Sequence, residues 1–186
     1  MKLKIRYILI ILLLVLMICP SNNYIAQAEI HSSGKSMIVI EANSKRVLCS
    51  KNENQKLPMA STTKIITALT VLNNCENINK EIEVNPNAVG IPGTSIYLKH
   101  GEKLTVKELL YGMMLPSGND AATALAYHIG GDIPKFCKMM EGEAIKCGAY
   151  NSSFSNPHGL DENEHYTTAY DLALITAKAL KNEVFK

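Results

Sequence analysis

Ser61-Thr62-Thr63-Lys64 places a hydroxyl and an amine three residues apart at the head of an apolar segment. In a helix, positions i and i+3 lie on one face, so the two groups would meet. Serine is a poor nucleophile until a base comes within hydrogen-bond reach. A lysine becomes such a base when burial disfavours its charged form. Further along, Ser117-Gly118-Asn119 supplies a second hydroxyl and an amide. The two clusters together suggest acyl transfer. Singly, each residue has a plainer reading: Ser61 as a helix cap, Lys64 as a snorkelling surface side chain, Ser117 and Asn119 as turn and cap residues.

The elements that must position these groups follow from periodicity and punctuation. Met37 to Glu41 reads as a strand, Ala42 to Lys45 as a turn and Arg46 to Ser50 as the returning strand, a β-hairpin. From Ser61 to about Leu72, apolar residues cover nearly every face, the pattern of a helix in the middle of a core. Ser61 sits at its N-terminal end, where the macrodipole favours developing negative charge. Asn79 to Leu98 carries Pro86, Gly90, Pro92 and Gly93 and reads as loop with a short strand. Thr105 and Glu108 have capping-box spacing and open a helix through Met114, stopped by Pro116. Ser117 to Asn119 connects it to a helix from Asp120 to Ile129, closed by Gly130-Gly131. A further helix spans Pro134 to Cys147. After the turn-rich stretch Asn156-Pro157-His158-Gly159, read as structural, Thr168 and Asp171 cap a helix reaching Leu180. A lone two-stranded hairpin cannot shield so apolar a central helix. Strands are therefore expected to be missing.

With 47% hydrophobic residues, the chain of 186 has the composition of a single globular domain. Its N-terminus reads differently. Lys2, Lys4 and Arg6 precede an apolar run from Ile8 to Ile18, and Ala26-Gln27-Ala28 offers a cleavage site, the layout of a secretory signal over residues 1–28. The run is shorter than the roughly 20 residues a membrane-spanning helix needs. The mature chain, 29–186, loses three basic residues and no acidic ones, leaving a net charge near −1. That gives no reason to expect a nucleic-acid partner. Cys49, Cys75, Cys137 and Cys147 match no compact disulfide scaffold and read as free, mostly buried thiols. His158 and His165 are too loose a pair for zinc, and neither metal nor cofactor is expected.

Ser-x-x-Lys followed by Ser-x-Asn resembles the signature of penicillin-recognising serine enzymes. The longer blocks Pro58 to Lys64, Leu115 to Ala122, Asn156 to Leu160 and Thr167 to Ala173 are most similar to the D-alanyl-D-alanine carboxypeptidases, the low-molecular-weight penicillin-binding proteins. The resemblance runs from about Ser36 to the C-terminus. It implies an α+β, β-lactamase/transpeptidase-like fold, an antiparallel sheet flanked by helices. It implies that Ser61 attacks the carbonyl between the terminal D-alanines of a peptidoglycan stem peptide, and that Lys64 takes its proton. Ser117 would relay a proton to the departing D-alanine, and Asn119 would bond the substrate amide and help position Lys64. β-Lactam antibiotics would acylate Ser61 as inhibitors. The protein would work on the outer side of a bacterial membrane, touching the membrane only through its signal or a C-terminal anchor.

The third element of the family pattern, Lys-Thr-Gly, does not occur in the sequence. In the family it lies on a strand lining the other side of the cleft, where it binds the substrate carboxylate and adds to the oxyanion hole. The domain is therefore expected to be truncated, and these residues alone to be poorly stable and inactive. Two other readings compete. A β-lactamase of the same superfamily needs a glutamate in a Glu-x-x-Leu-Asn setting, which Glu141, Glu143, Glu162 and Glu164 do not provide. A non-catalytic exported module that binds cell-wall peptides fits the missing motif but leaves Ser61, Lys64, Ser117 and Asn119 without a purpose.

Overall fold

A computed structural model describes residues 32–186. The secretory signal expected over residues 1–28 lies outside them. Strands β1 (Met37–Ile40) and β2 (Val47–Lys51) form the expected antiparallel hairpin. Its turn is held by the Glu41 carboxylate, which accepts from the Asn43 and Ser44 amides. Lys45, at φ +59°, completes the reversal.

The central helix α1 (Thr63–Asn74) buries Thr63, Lys64, Ile66, Thr67, Ala68, Leu69, Thr70 and Val71. That is the all-round burial its apolar pattern demands. Ser61 is not part of it. The residue lies in a single 3₁₀ turn, Ala60–Thr62, that leads into α1, because Ala60 adopts φ +46° and breaks the helical path.

β3 (Glu81–Glu83) pairs antiparallel with β4 (Lys103–Thr105), a second ladder that the sequence reading did not contain. Three-residue strands are too short for an alternation to register. Thr105 ends β4 and caps α2 (Val106–Met114) with both halves of the capping box formed. α3 (Asn119–Gly130) starts at Asn119 itself. α4 (Ile133–Cys147) is capped by Asp132 and closed by Gly148 in the left-handed conformation. α5 (Ala169–Ala179) is capped by Thr168.

α1 packs against α2, α3, α4 and α5, and α5 also packs against β1 of the hairpin. Leu69, Val71, Leu109, Met113, Leu125, Phe136, Met140 and Ile175 fill the space between the helices. Burying such side chains stabilises by about 1.5–3 kcal/mol each. Two backbone bridges meet at the entry of α5: Leu57 to Thr167 ties in the segment before Ser61, and Ser153 to Tyr166 ties in the stretch after α4. All four described cysteines are free, and burial pushes the Cys137 thiol up to about 12. Among the described residues no helix is long and apolar enough to cross a membrane.

Candidate active site

Lys64 lies one turn into the core from Ser61 and is only 2% exposed, an unusual place for a lysine. Its ammonium has three protons and finds three acceptors. Nζ lies 2.7 Å from Asn119 Oδ1, 2.9 Å from the His158 carbonyl and 3.1 Å from Ser61 Oγ. Burial nevertheless lowers its pKa to about 8. Once one proton leaves, two N–H groups still satisfy Asn119 and His158, the two shorter bonds. The lone pair is then free for the Ser61 hydroxyl, which is exposed.

Each partner is fixed from behind. The Asn119 amide nitrogen donates to the Pro92 carbonyl at 2.7 Å, and its backbone N–H donates to the Thr94 carbonyl at 2.7 Å. Its side-chain oxygen therefore faces Lys64. A Cβ at Gly93 would come within 2.7 Å of the Asn119 amide nitrogen, so the loop approaches as closely as glycine permits.

His158 belongs to the stretch read as structural, and its backbone reaches Lys64. The Asn156 side chain accepts from the His158 and Gly159 amides and donates to the Glu162 carboxylate and the Leu160 carbonyl. This turn aims the His158 carbonyl at Lys64, and the neighbouring Pro157 carbonyl accepts from Thr67 on the next turn of α1. Gly159, at φ +95°, sits so close to Ala60 that an added Cβ would lie 1.9 Å from its carbonyl oxygen. Thr63 is held by His165, whose Nδ1 accepts from the Ser155 amide. The proton therefore sits on Nε2, which donates to Thr63 Oγ1 at 2.9 Å. Burial lowers the pKa of both histidines, that of His158 to about 4 with help from the Lys64 charge.

The geometry thus brings Ser61, Lys64 and Asn119 into one bonded group. Ser117 lies two residues before Asn119 in a strained φ of +65°. It is partly buried, and its hydroxyl makes no hydrogen bond among the described residues. A backbone carbonyl such as that of His158 carries no residue-type signal. The Asn-x-x-Gly spacing of its turn was the only available hint.

An exposed serine joined to a buried lysine one turn away, on an α+β scaffold, is the arrangement of a serine–lysine acyl-transfer site. The profile of the D-alanyl-D-alanine carboxypeptidases matches residues 22–186, and the chain belongs to that family. The D-alanyl-D-alanine carboxypeptidase DacF of Bacillus subtilis is 38% identical over 160 residues, covering 84% of this chain and 41% of the relative. Among solved structures, D-alanyl-D-alanine carboxypeptidase from Mycobacterium tuberculosis superposes with a TM-score of 0.81 at 30% identity, covering 87% of this chain and 61% of that one. DacD from Francisella tularensis gives 0.79 at 33%, covering 86% and 40%. The chain thus spans less than two thirds of the length of each.

Proposed function

We propose that this chain carries the acylating side of a serine D-alanyl-D-alanine carboxypeptidase, acting on peptidoglycan stem peptides outside the cytoplasm after removal of residues 1–28. One observation carries the reading: Lys64 is buried, held by Asn119 and the His158 carbonyl, with its third hydrogen-bonding direction on the exposed Ser61 hydroxyl.

Neutral Lys64 takes the Ser61 proton as Oγ attacks the carbonyl between the two D-alanines. The tetrahedral intermediate collapses when its C–N bond breaks: the Ser117 hydroxyl gives its proton to the departing amine and takes the one that Lys64 carries, so both residues return to their starting forms. Asn119 bonds the substrate amide while keeping Lys64 in place. Water then attacks the ester on Ser61, releasing the shortened peptide and restoring the hydroxyl. β-Lactams would form the same ester and leave it slowly. The proposal concerns this side of the cleft. The wall that the resemblance assigns to Lys-Thr-Gly is not among these residues.

The test is release of D-alanine from an N-acylated peptide ending in D-Ala-D-Ala by the protein isolated from its cells. Arginine does not give up its proton at usable pH. Lys64→Arg is therefore expected to lower release by at least about 100-fold, the low end of what general-base catalysis supplies. Undiminished release would refute the assignment.

A further inference from the structure

Among the described residues, five that are not glycine have positive φ: Lys45, Asn52, Ala60, Tyr97 and Ser117. A non-glycine residue held there costs on the order of 1–3 kcal/mol and persists only where its surroundings fix it. Lys45 and Asn52 follow the two strands of the hairpin. Ala60 precedes Ser61, and Ser117 belongs to the second cluster. Tyr97, at φ +61°, is the one strained residue without an assigned part.

The residue is 83% exposed, so packing does not repay the strain. Its backbone is nevertheless pinned on both sides by one carboxylate. Asp120, 1% exposed, accepts from the Ser95 hydroxyl at 2.6 Å, the Ile96 amide at 3.0 Å, the Leu98 amide at 3.0 Å and the Ala121 amide at 2.9 Å. The Tyr97 amide donates to Ser95 Oγ at 2.9 Å, which closes the ring of bonds. Burial pushes the Asp120 carboxyl up, but these bonds outweigh it and hold the group below the usual range. Asp120 follows Asn119 directly, and the same loop supplies the Pro92 and Thr94 carbonyls that fix Asn119. The strained tyrosine is therefore built onto the same short frame as the residue that would bond the substrate amide.

We propose that Tyr97 is a preorganised contact residue for the peptide bound at Asn119, with Asp120 as the residue that positions it. The proposal rests on the reading of Ser61 and Asn119 given above. The exposed ring offers an amphipathic face to the aliphatic and amide groups of a peptide. Ring and bonds are in place before the peptide arrives, which lowers the ordering cost of binding.

Tyr97→Gly separates this from a structural role, because the two predict opposite signs. Glycine relieves the positive φ and removes an exposed ring, so the thermal midpoint is expected to hold or rise. KM for an N-acylated Lys-D-Ala-D-Ala peptide is expected to rise about 2- to 12-fold, the worth of one aromatic contact, with kcat within about twofold. Tyr97→Phe keeps the ring and is expected to keep the wild-type KM. The sequence contains no tryptophan, so Tyr97→Trp adds a single reporter whose emission should shift on titration with the peptide. A midpoint that falls in Tyr97→Gly, an unchanged KM, or a Tyr97→Trp emission blind to the peptide would overturn the inference. Absence of any acylation at Ser61 in the wild-type protein would overturn the underlying reading instead.

Discussion

Asn119→Asp tests how the site makes a base out of Lys64. The substitution keeps an oxygen 2.7 Å from Nζ and adds a negative charge to it. At an effective dielectric constant near 20, a unit charge pair at that distance interacts by about 6 kcal/mol, equivalent to roughly 4 pKa units. The open side toward Ser61 admits water, so a rise of at least about 2 units is the expectation. Lys64 would move from about 8 to 10 or above. At pH 8 the neutral fraction would then fall from about one half to about one hundredth or less. The assay is a pH titration of the protein labelled with 13C at lysine Cε. In the wild type one lysine should titrate near 8, and that resonance should be absent from Lys64→Arg. In Asn119→Asp it should move up by the stated amount. The variant also loses the N–H donated to the Pro92 carbonyl. Reading the pKa directly, and not a rate alone, keeps loop distortion apart from charge. If every lysine of the wild type titrates near 10.4, or the outlier stays put in Asn119→Asp, the reasoning fails.

Further expectations concern stability and turnover. His158 and His165 have folded-state pKa values below the ordinary one near 6.5, so the unfolded chain binds more protons as the pH drops. The histidine contribution should be full above about 6.5 and be lost progressively toward pH 4, with His158 contributing up to about 3 kcal/mol, as read from urea midpoints at several pH values. Gly159→Ala would drive a Cβ into the Ala60 carbonyl at a positive φ, and is expected to cost about 3 kcal/mol or more in denaturant unfolding. The 186-residue chain expressed by itself is expected to react with penicillin at least about 100-fold more slowly than a relative carrying Lys-Thr-Gly, since one oxyanion donor alone is worth that much. Release of bound penicillin should be slow. Rapid turnover would favour the β-lactamase reading.

Much of this site was legible in the sequence because it is written in side chains. Ser61 and Lys64 are joined by helical spacing, and the caps at Thr105 and Thr168 follow from local hydrogen-bonding chemistry. What escaped is written in backbone. The third ligand of Lys64 is a carbonyl, which any residue could supply. The kink at Ala60 that moves Ser61 out of α1 lies against Gly159, about 100 residues away, and no local propensity encodes that neighbour. β4 was missed because its last residue, Thr105, also serves as a helix cap. Asp120 marked only the expected start of a helix, and its four donors show that it organises a loop.

The most direct test of the central claim is the position of the acyl group. The protein isolated from its cells is incubated with a labelled penicillin, digested, and the modified peptide is sequenced by mass spectrometry. The account predicts one adduct, on Ser61, absent from a folded Ser61→Ala variant and slowed by Lys64→Arg. An adduct on another residue, or labelling that survives Ser61→Ala, would contradict it.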